Sequence, residues 1–129
     1  MKLLDLYKCL SNGTRLRIFH LLKEGPLCVC HLQAVLDQSQ VQISKTLATM
    51  KRYGAVRSTR EGTWMIYELA DFTDPINNHL ESLEAVADVY SFFRSDLKKR
   101  LKVLGDFCGP TATGECPPAV RDAVEPCCA

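Results

Sequence analysis

Between Ser39 and Leu69 the chain carries one sharply marked helix followed at once by two strands, and few folds accept that order. Ser39 and Gln42 have the Ser-x-x-Gln spacing of a capping box, in which each side chain satisfies an orphan amide at a helix start. Ile43, Leu47 and Met50 recur on one helical face, and Gly54 stands where a left-handed residue ends a helix, so the spacing predicts a helix over 39–53. Its other face offers Gln40, Gln42, Ser44, Lys45 and Thr49, which are amides, hydroxyls and a base without an acid. A buried helix would waste those groups. After Gly54 the period shortens. Ala55–Arg60 and Thr63–Leu69 read as strands, with Glu61-Gly62 as a tight hairpin tip.

The flanking segments complete the pattern. Leu3, Leu6, Tyr7 and Leu10 predict a first helix over 2–10, interrupted by Ser11-Asn12-Gly13-Thr14. Leu16, Ile18, Leu21 and Leu22 build a second, which ends at Gly25-Pro26. Leu32, Val35 and Leu36 mark a short third helix from about Val29 to Asp37. Asp74-Pro75 is an N-cap followed by proline at the first helical position. From Ile76 the residues Leu80, Leu83, Ala87, Tyr90, Phe93, Leu97, Leu101 and Leu104 form one stripe, closed by Gly105. A core this small cannot cover such a stripe, so part of it is expected to meet a second copy in a two-fold dimer. The expected fold is mainly α with a small β-hairpin: a winged helix-turn-helix whose long terminal helices form a dimer interface. Residues 1–105 would make that DNA-binding and dimerisation domain. Residues 106–129, rich in proline and cysteine, would be a flexible tail.

Composition narrows the class. With 129 residues, 47% of them hydrophobic and 24% charged, the chain is one globular domain rather than a disordered segment. No apolar run approaches the roughly 18 residues of a membrane span. The opening residues, broken by Asp5 and Lys8, lack the apolar core of a secretion signal, so a cytoplasmic address is expected. The net charge of +1 conceals two blocks. Lys45, Lys51, Arg52, Arg57 and Arg60 fall between 38 and 60 without an acid, whereas 61–93 holds seven acids and no Lys or Arg. That segregation favours DNA over a protein-interaction module built on the same scaffold. Gln40, Gln42, Ser44, Lys45 and Thr49 would face base edges in the major groove, and Lys51, Arg52, Arg57 and Arg60 would neutralise phosphates.

Seven cysteines remain: Cys9, Cys28, Cys30, Cys108, Cys116, Cys127 and Cys128. Without an oxidising compartment, such a set points to soft-metal or redox chemistry. Cys28 and Cys30 sit at the mouth of the third helix, where the helix N-terminus lowers thiol pKa. On a formed helix, positions i and i+2 point roughly 200° apart and cannot share an ion, whereas in extended chain they point the same way. An ion held by both is therefore expected to keep this segment out of regular helix. Two buried structural cysteines would show the same spacing. His20 and His31 read as packing or surface residues.

Taken in order, several segments resemble one family. Pro26-Leu27-Cys28-Val29-Cys30-His31-Leu32 resembles the Glu-Leu-Cys-Val-Cys-Asp-Leu metal box of arsenic-responsive repressors in the ArsR/SmtB family. Leu36 to Leu47 is similar to the turn and recognition helix of that group, Leu10–Leu16 to its opening, and Arg60-Glu61-Gly62-Thr63-Trp64 to its wing. The resemblance implies a homodimeric transcriptional repressor on an inverted-repeat operator in double-stranded DNA. It would dissociate when trivalent arsenic or antimony, As(III) or Sb(III), binds Cys28 and Cys30, derepressing resistance genes, with no organic cofactor. Three-thiol members carry a further cysteine where this chain has Gln33. A missing ligand would come from Cys9, from the tail (Cys108, Cys116, Cys127 or Cys128) or from a small thiol. Alternatively, two thiols would suit a monomethylated trivalent arsenical. Zinc sensing on the last helix is not expected, because that helix has only His79 as an imidazole.

Two other readings use the same cysteines. One is a redox- or persulfide-sensing repressor of this fold, which mild oxidant alone would release from DNA. The other is a thiol-dependent reductase using Cys127-Cys128, disfavoured because no Cys-x-x-Cys on a βαβ pattern and no cofactor box is present. No catalytic residue is assigned.

Overall fold

The computed structural model describes residues 3–71, 78, 81–82 and 91–108, the last stretch with side chains over 94–105. The elements run α1 (Leu3–Leu10), α2 (Gly13–Leu22), β1 (Leu27–Cys28), α3 (Val29–Leu36), α4 (Gln40–Arg52), β2 (Val56–Glu61), β3 (Trp64–Leu69) and α5 (Ser91–Cys108). Among the described residues no helix is long and apolar enough to cross a membrane.

Local chemistry sets most of the boundaries. Asn12 caps α2 by accepting the Arg15 amide at 3.2 Å, while Arg15 Nε donates to the Cys9 carbonyl at 2.7 Å and ties α1 to α2. At α4 the capping box is present in both directions: Ser39 Oγ accepts from the Gln42 amide and Gln42 Oε1 from the Ser39 amide, each at 3.2 Å. Asp37 ends α3 in the left-handed region at φ 52, and Gly54 follows α4 at φ 80. Ser39→Ala should therefore cost about 1 kcal/mol in urea unfolding. No measurable loss would mean that tertiary packing alone holds the start of α4.

One core joins these pieces. Leu6 and Cys9 of α1, Ile18, Phe19, Leu21 and Leu22 of α2, Leu32 and Val35 of α3, and Ile43, Leu47 and Met50 of α4 are all buried in it. Val56 and Ile66 contribute from the sheet and Leu104 from α5.

Four features differ from the sequence-based expectation. The sheet has three antiparallel strands in the order β1-β3-β2, because Leu27 and Cys28 pair with Tyr67 and Ile66. Glu61 pairs with Trp64, so the hairpin tip is Gly62-Thr63 rather than Glu61-Gly62; Gly62 takes the positive φ, 60°. Gly105 does not close the terminal helix, which continues to Cys108. Buried Leu104 holds this turn, and that packing outweighs the helix cost of about 1 kcal/mol for one glycine. The expected domain boundary at 105/106 thus falls inside α5. Finally, the stripe divides: Leu104 is buried and Leu97 packs against the core, but Leu101 is 56% exposed. Of the predicted continuation of that helix back to Ile76, Asn78, Glu81 and Ser82 are described and helical; its other residues before Ser91, and Cys116, Cys127 and Cys128 of the tail, lie outside the described residues.

Candidate functional site

Cys28 is the last residue of β1 and the N-cap of α3, with φ −90 and ψ 167. Pairing with Ile66 of β3 holds it extended, while Cys30 is already the second residue of the helix. The two thiols thus straddle a strand–helix junction. The sequence-based expectation that an ion must keep this segment unwound is not needed here: extended Cys28 and helical Cys30 already converge.

A third donor joins them. His31 is fully buried, as a packing residue would be, and its Nδ1 accepts from the Cys28 amide at 3.3 Å. Cys28 Sγ lies 3.3 Å from the same nitrogen. The donor atoms of Cys28, Cys30 and His31 all lie within 4.8 Å of one another. Burial, helped by the nearby positive charge of Arg100, holds the His31 pKa down at about 4, so the imidazole is neutral at pH 7. Hydrogen bonding from the Cys28 thiol stabilises the Cys30 thiolate and lowers its pKa to about 7, against the opposing effect of burial. The same bond, with burial, raises that of Cys28. One thiolate near neutral pH beside a retained thiol proton suits a thiophilic ligand that expels the second proton on binding.

Beside the thiols opens a cavity of about 310 Å³. Gln33 of α3, Gln40 and Ser44 of α4, and Trp64, Met65 and Tyr67 of β3 line it with both cysteines. The thiol pair therefore shares a cavity with the two elements expected to meet DNA.

Other candidate ligands are placed apart. Cys9 is buried in the core and stands outside the Cys28–Cys30–His31 group, and its pKa is raised by burial. Cys108 ends α5, and its side chain is not described.

The proposed DNA face is exposed at Gln40, Gln42, Ser44, Lys45, Lys51, Arg52, Arg57 and Arg60, with Thr49 half-buried. Several of these groups are already engaged. Gln42 Oε1 serves the capping box, Thr49 Oγ1 donates to the Lys45 carbonyl at 3.1 Å, and Lys51 Nζ donates to Ser58 Oγ at 2.8 Å. Arg57 differs most from expectation: its guanidinium bridges Glu68 at 2.8 Å and Asp71 at 3.0 Å, so its charge is already matched. Sequence reasoning passed over Val41, which is 62% exposed at the start of α4 between the two glutamines. Its signal was an apolar residue off the Ile43–Leu47–Met50 face.

Comparison with known proteins agrees with this architecture. Residues 12–58 match the family described as bacterial regulatory protein, arsR family. The arsenical resistance operon repressor of Escherichia coli K12 is 44% identical over 68 residues, which are 52% of this chain and 58% of that one. An uncharacterized HTH-type transcriptional regulator of Methanocaldococcus jannaschii, MJ1325, is 38% identical over 71 residues, 54% of this chain and 80% of that one. The chain spans little more than half the length of the arsenic-resistance regulators it matches. Among solved structures, HlyU from Vibrio cholerae N16961 superposes with TM-score 0.58 at 29% identity, covering 64% of this chain and 88% of that one. The homodimeric winged helix-turn-helix domain of Mb0332 from Mycobacterium bovis gives 0.56 at 29% identity, covering 66% and 77%. These proteins are regulators rather than enzymes, and the matched region runs from the cap of α2 through the helix-turn-helix into the wing. This chain belongs to the arsR family of bacterial regulatory proteins.

Proposed function

We propose that this chain is a transcriptional repressor that binds operator DNA as a homodimer and releases it when trivalent arsenic or antimony is held by Cys28 and Cys30. The observation that carries the reading is the convergence of the two thiols at the β1–α3 junction, one on β1, which pairs with the wing strand β3, and the other on the helix that leads into α4. A soft metalloid suits two sulfur donors. Bridging Cys28 and Cys30 would pull β1, and with it β3, against the start of α3. That strain would reach α4 through the short Asp37–Ser39 turn. A ligand that binds the DNA-incompetent arrangement about 1–3 kcal/mol better than the other would supply the coupling.

In this reading α4 lies in the major groove, with Gln40, Ser44 and Lys45 toward base edges and Val41 free to meet a thymine methyl. Lys51, Arg52 and Arg60 face phosphates, while Arg57 shapes the wing through Glu68 and Asp71 instead. Exposed Leu3, Leu4 and Tyr7 of α1 and Leu101 of α5 are the apolar surface that a second copy would cover. The relative named as an arsenical resistance operon repressor and the homodimeric neighbour support both halves of the reading.

Fluorescence anisotropy of a labelled operator tests it. Arsenite added with reductant present should release the DNA, which also separates metalloid sensing from thiol oxidation. Lys45→Ala should weaken operator binding and lower the salt-dependence slope by about 1, with arsenite affinity unchanged. Equal loss of both functions would mean that the substitution unfolds the domain.

A further inference from the structure

Among the described residues five large apolar side chains are exposed. Leu3, Leu4, Tyr7 and Leu101 belong to α1 and α5, the surface a second copy would cover. The fifth, Val41, is 62% exposed and lies on neither helix; it is the second residue of α4. Val41, Lys45, Ala48 and Arg52 follow one another at spacings of four, three and four, so they share one face of the helix, and all four are exposed. That face lies roughly opposite the buried Ile43, Leu47 and Met50. The glutamines on either side of Val41 have other engagements: Gln40 lines the cavity with Trp64, and Gln42 Oε1 accepts the Ser39 amide. The outermost line of α4 thus presents two cations, a methyl and an isopropyl group, and no acid. Lys45 and Arg52 suit a phosphate or a guanine equally. An isopropyl group has one specific partner in the major groove, the C5-methyl of thymine. Its place in the helix fits that role, because the N-terminal residues of a reading helix are the ones that reach base edges.

Resting on the operator-binding reading above, we propose that Val41 is a specificity-determining residue, which packs on the C5-methyl of one thymine in each half-site of the operator. Ala48, two turns on, is small enough to let the helix come close, and Lys45 between them supplies the charge that holds it there. The thymine is read through its methyl group alone, with no hydrogen bond from Val41 to the base.

Deoxyuridine is the direct probe, since it keeps every hydrogen-bonding group of thymidine and lacks only the methyl. The full-length protein, reduced and without metalloid, selects duplexes from a random-sequence library, and each thymine of the enriched duplex is then replaced singly by uracil. Fluorescence anisotropy should find one position per half-site where loss of the methyl weakens binding about fourfold, the burial worth of one methyl-sized group. In Val41→Ala the same replacement should cost little, while every other position behaves as in wild type. Alanine is the better helix former, so a urea midpoint unchanged or raised confirms that the variant folds. Val41→Thr, close in shape and keeping one methyl, should retain part of the penalty. If no thymine is sensitive to loss of its methyl, or if the sensitive one keeps its full penalty in Val41→Ala, the proposal is overturned and operator binding stands. If no sequence is enriched from the library, the operator-binding reading falls with it.

Discussion

Asp96→Ala should destabilise the protein by about 3–5 kcal/mol, a large part of the stability of a domain this size. Asp96 is 1% exposed and is the only buried carboxylate among the described residues. Its two oxygens receive Arg17 Nη2 at 2.6 Å and Nε at 2.7 Å, a bidentate pair that fastens α5 to α2 across 79 positions of sequence. This pairing raises the Arg17 pKa and keeps the guanidinium charged. Removing the carboxylate leaves Arg17 partly buried without its counter-ion. The cost is the stranded charge, more than the lost attraction. Replacing both partners, Arg17→Met with Asp96→Leu, should therefore recover most of the loss. Urea unfolding of the single and double variants reads both effects. A loss below about 1 kcal/mol for Asp96→Ala would show that α5 is not pinned at this point.

Cys28→Ser should raise the arsenite needed for operator release about a hundredfold while leaving operator affinity nearly unchanged. With one thiol, the second bond no longer forms at the high effective concentration that the junction provides. Serine is a preferred N-cap and nearly the same size, so α3 should still start at Val29. DNA binding, which depends on α4 and the wing, is then spared. Anisotropy titrations of wild type and variant give both quantities side by side. If the variant remains fully inducible, the sensing thiols lie elsewhere, and Cys108, Cys116, Cys127 and Cys128 become the candidates.

Features written in short stretches of chain were legible in advance. The capping box of Ser39 and Gln42, the buried face Ile43–Leu47–Met50 and the positive φ at Gly54 all arise from residues within a few positions of one another. Arg57 was legible in principle too, since a hairpin register that opposes it to Glu68 follows from the tip, but a one-residue shift of the tip concealed the pair. Gly105 misled because local propensity, a small free energy, yields to the packing of Leu104.

By itself, then, the amino-acid sequence determined the order of the helices and the two wing strands, the polar face of α4 and the two cysteines separated by a single valine, because periodicity, capping and turn chemistry are local. Only the tertiary structure decided what those cysteines can do. β1 exists because Cys28 meets Ile66 nearly forty residues later, and that pairing puts the helix boundary between the two thiols. The cavity under Trp64 and the clasp of Arg17 on Asp96 are likewise contacts between distant segments. No window of neighbouring residues contains them, since each forms only when the shared core brings its partners together.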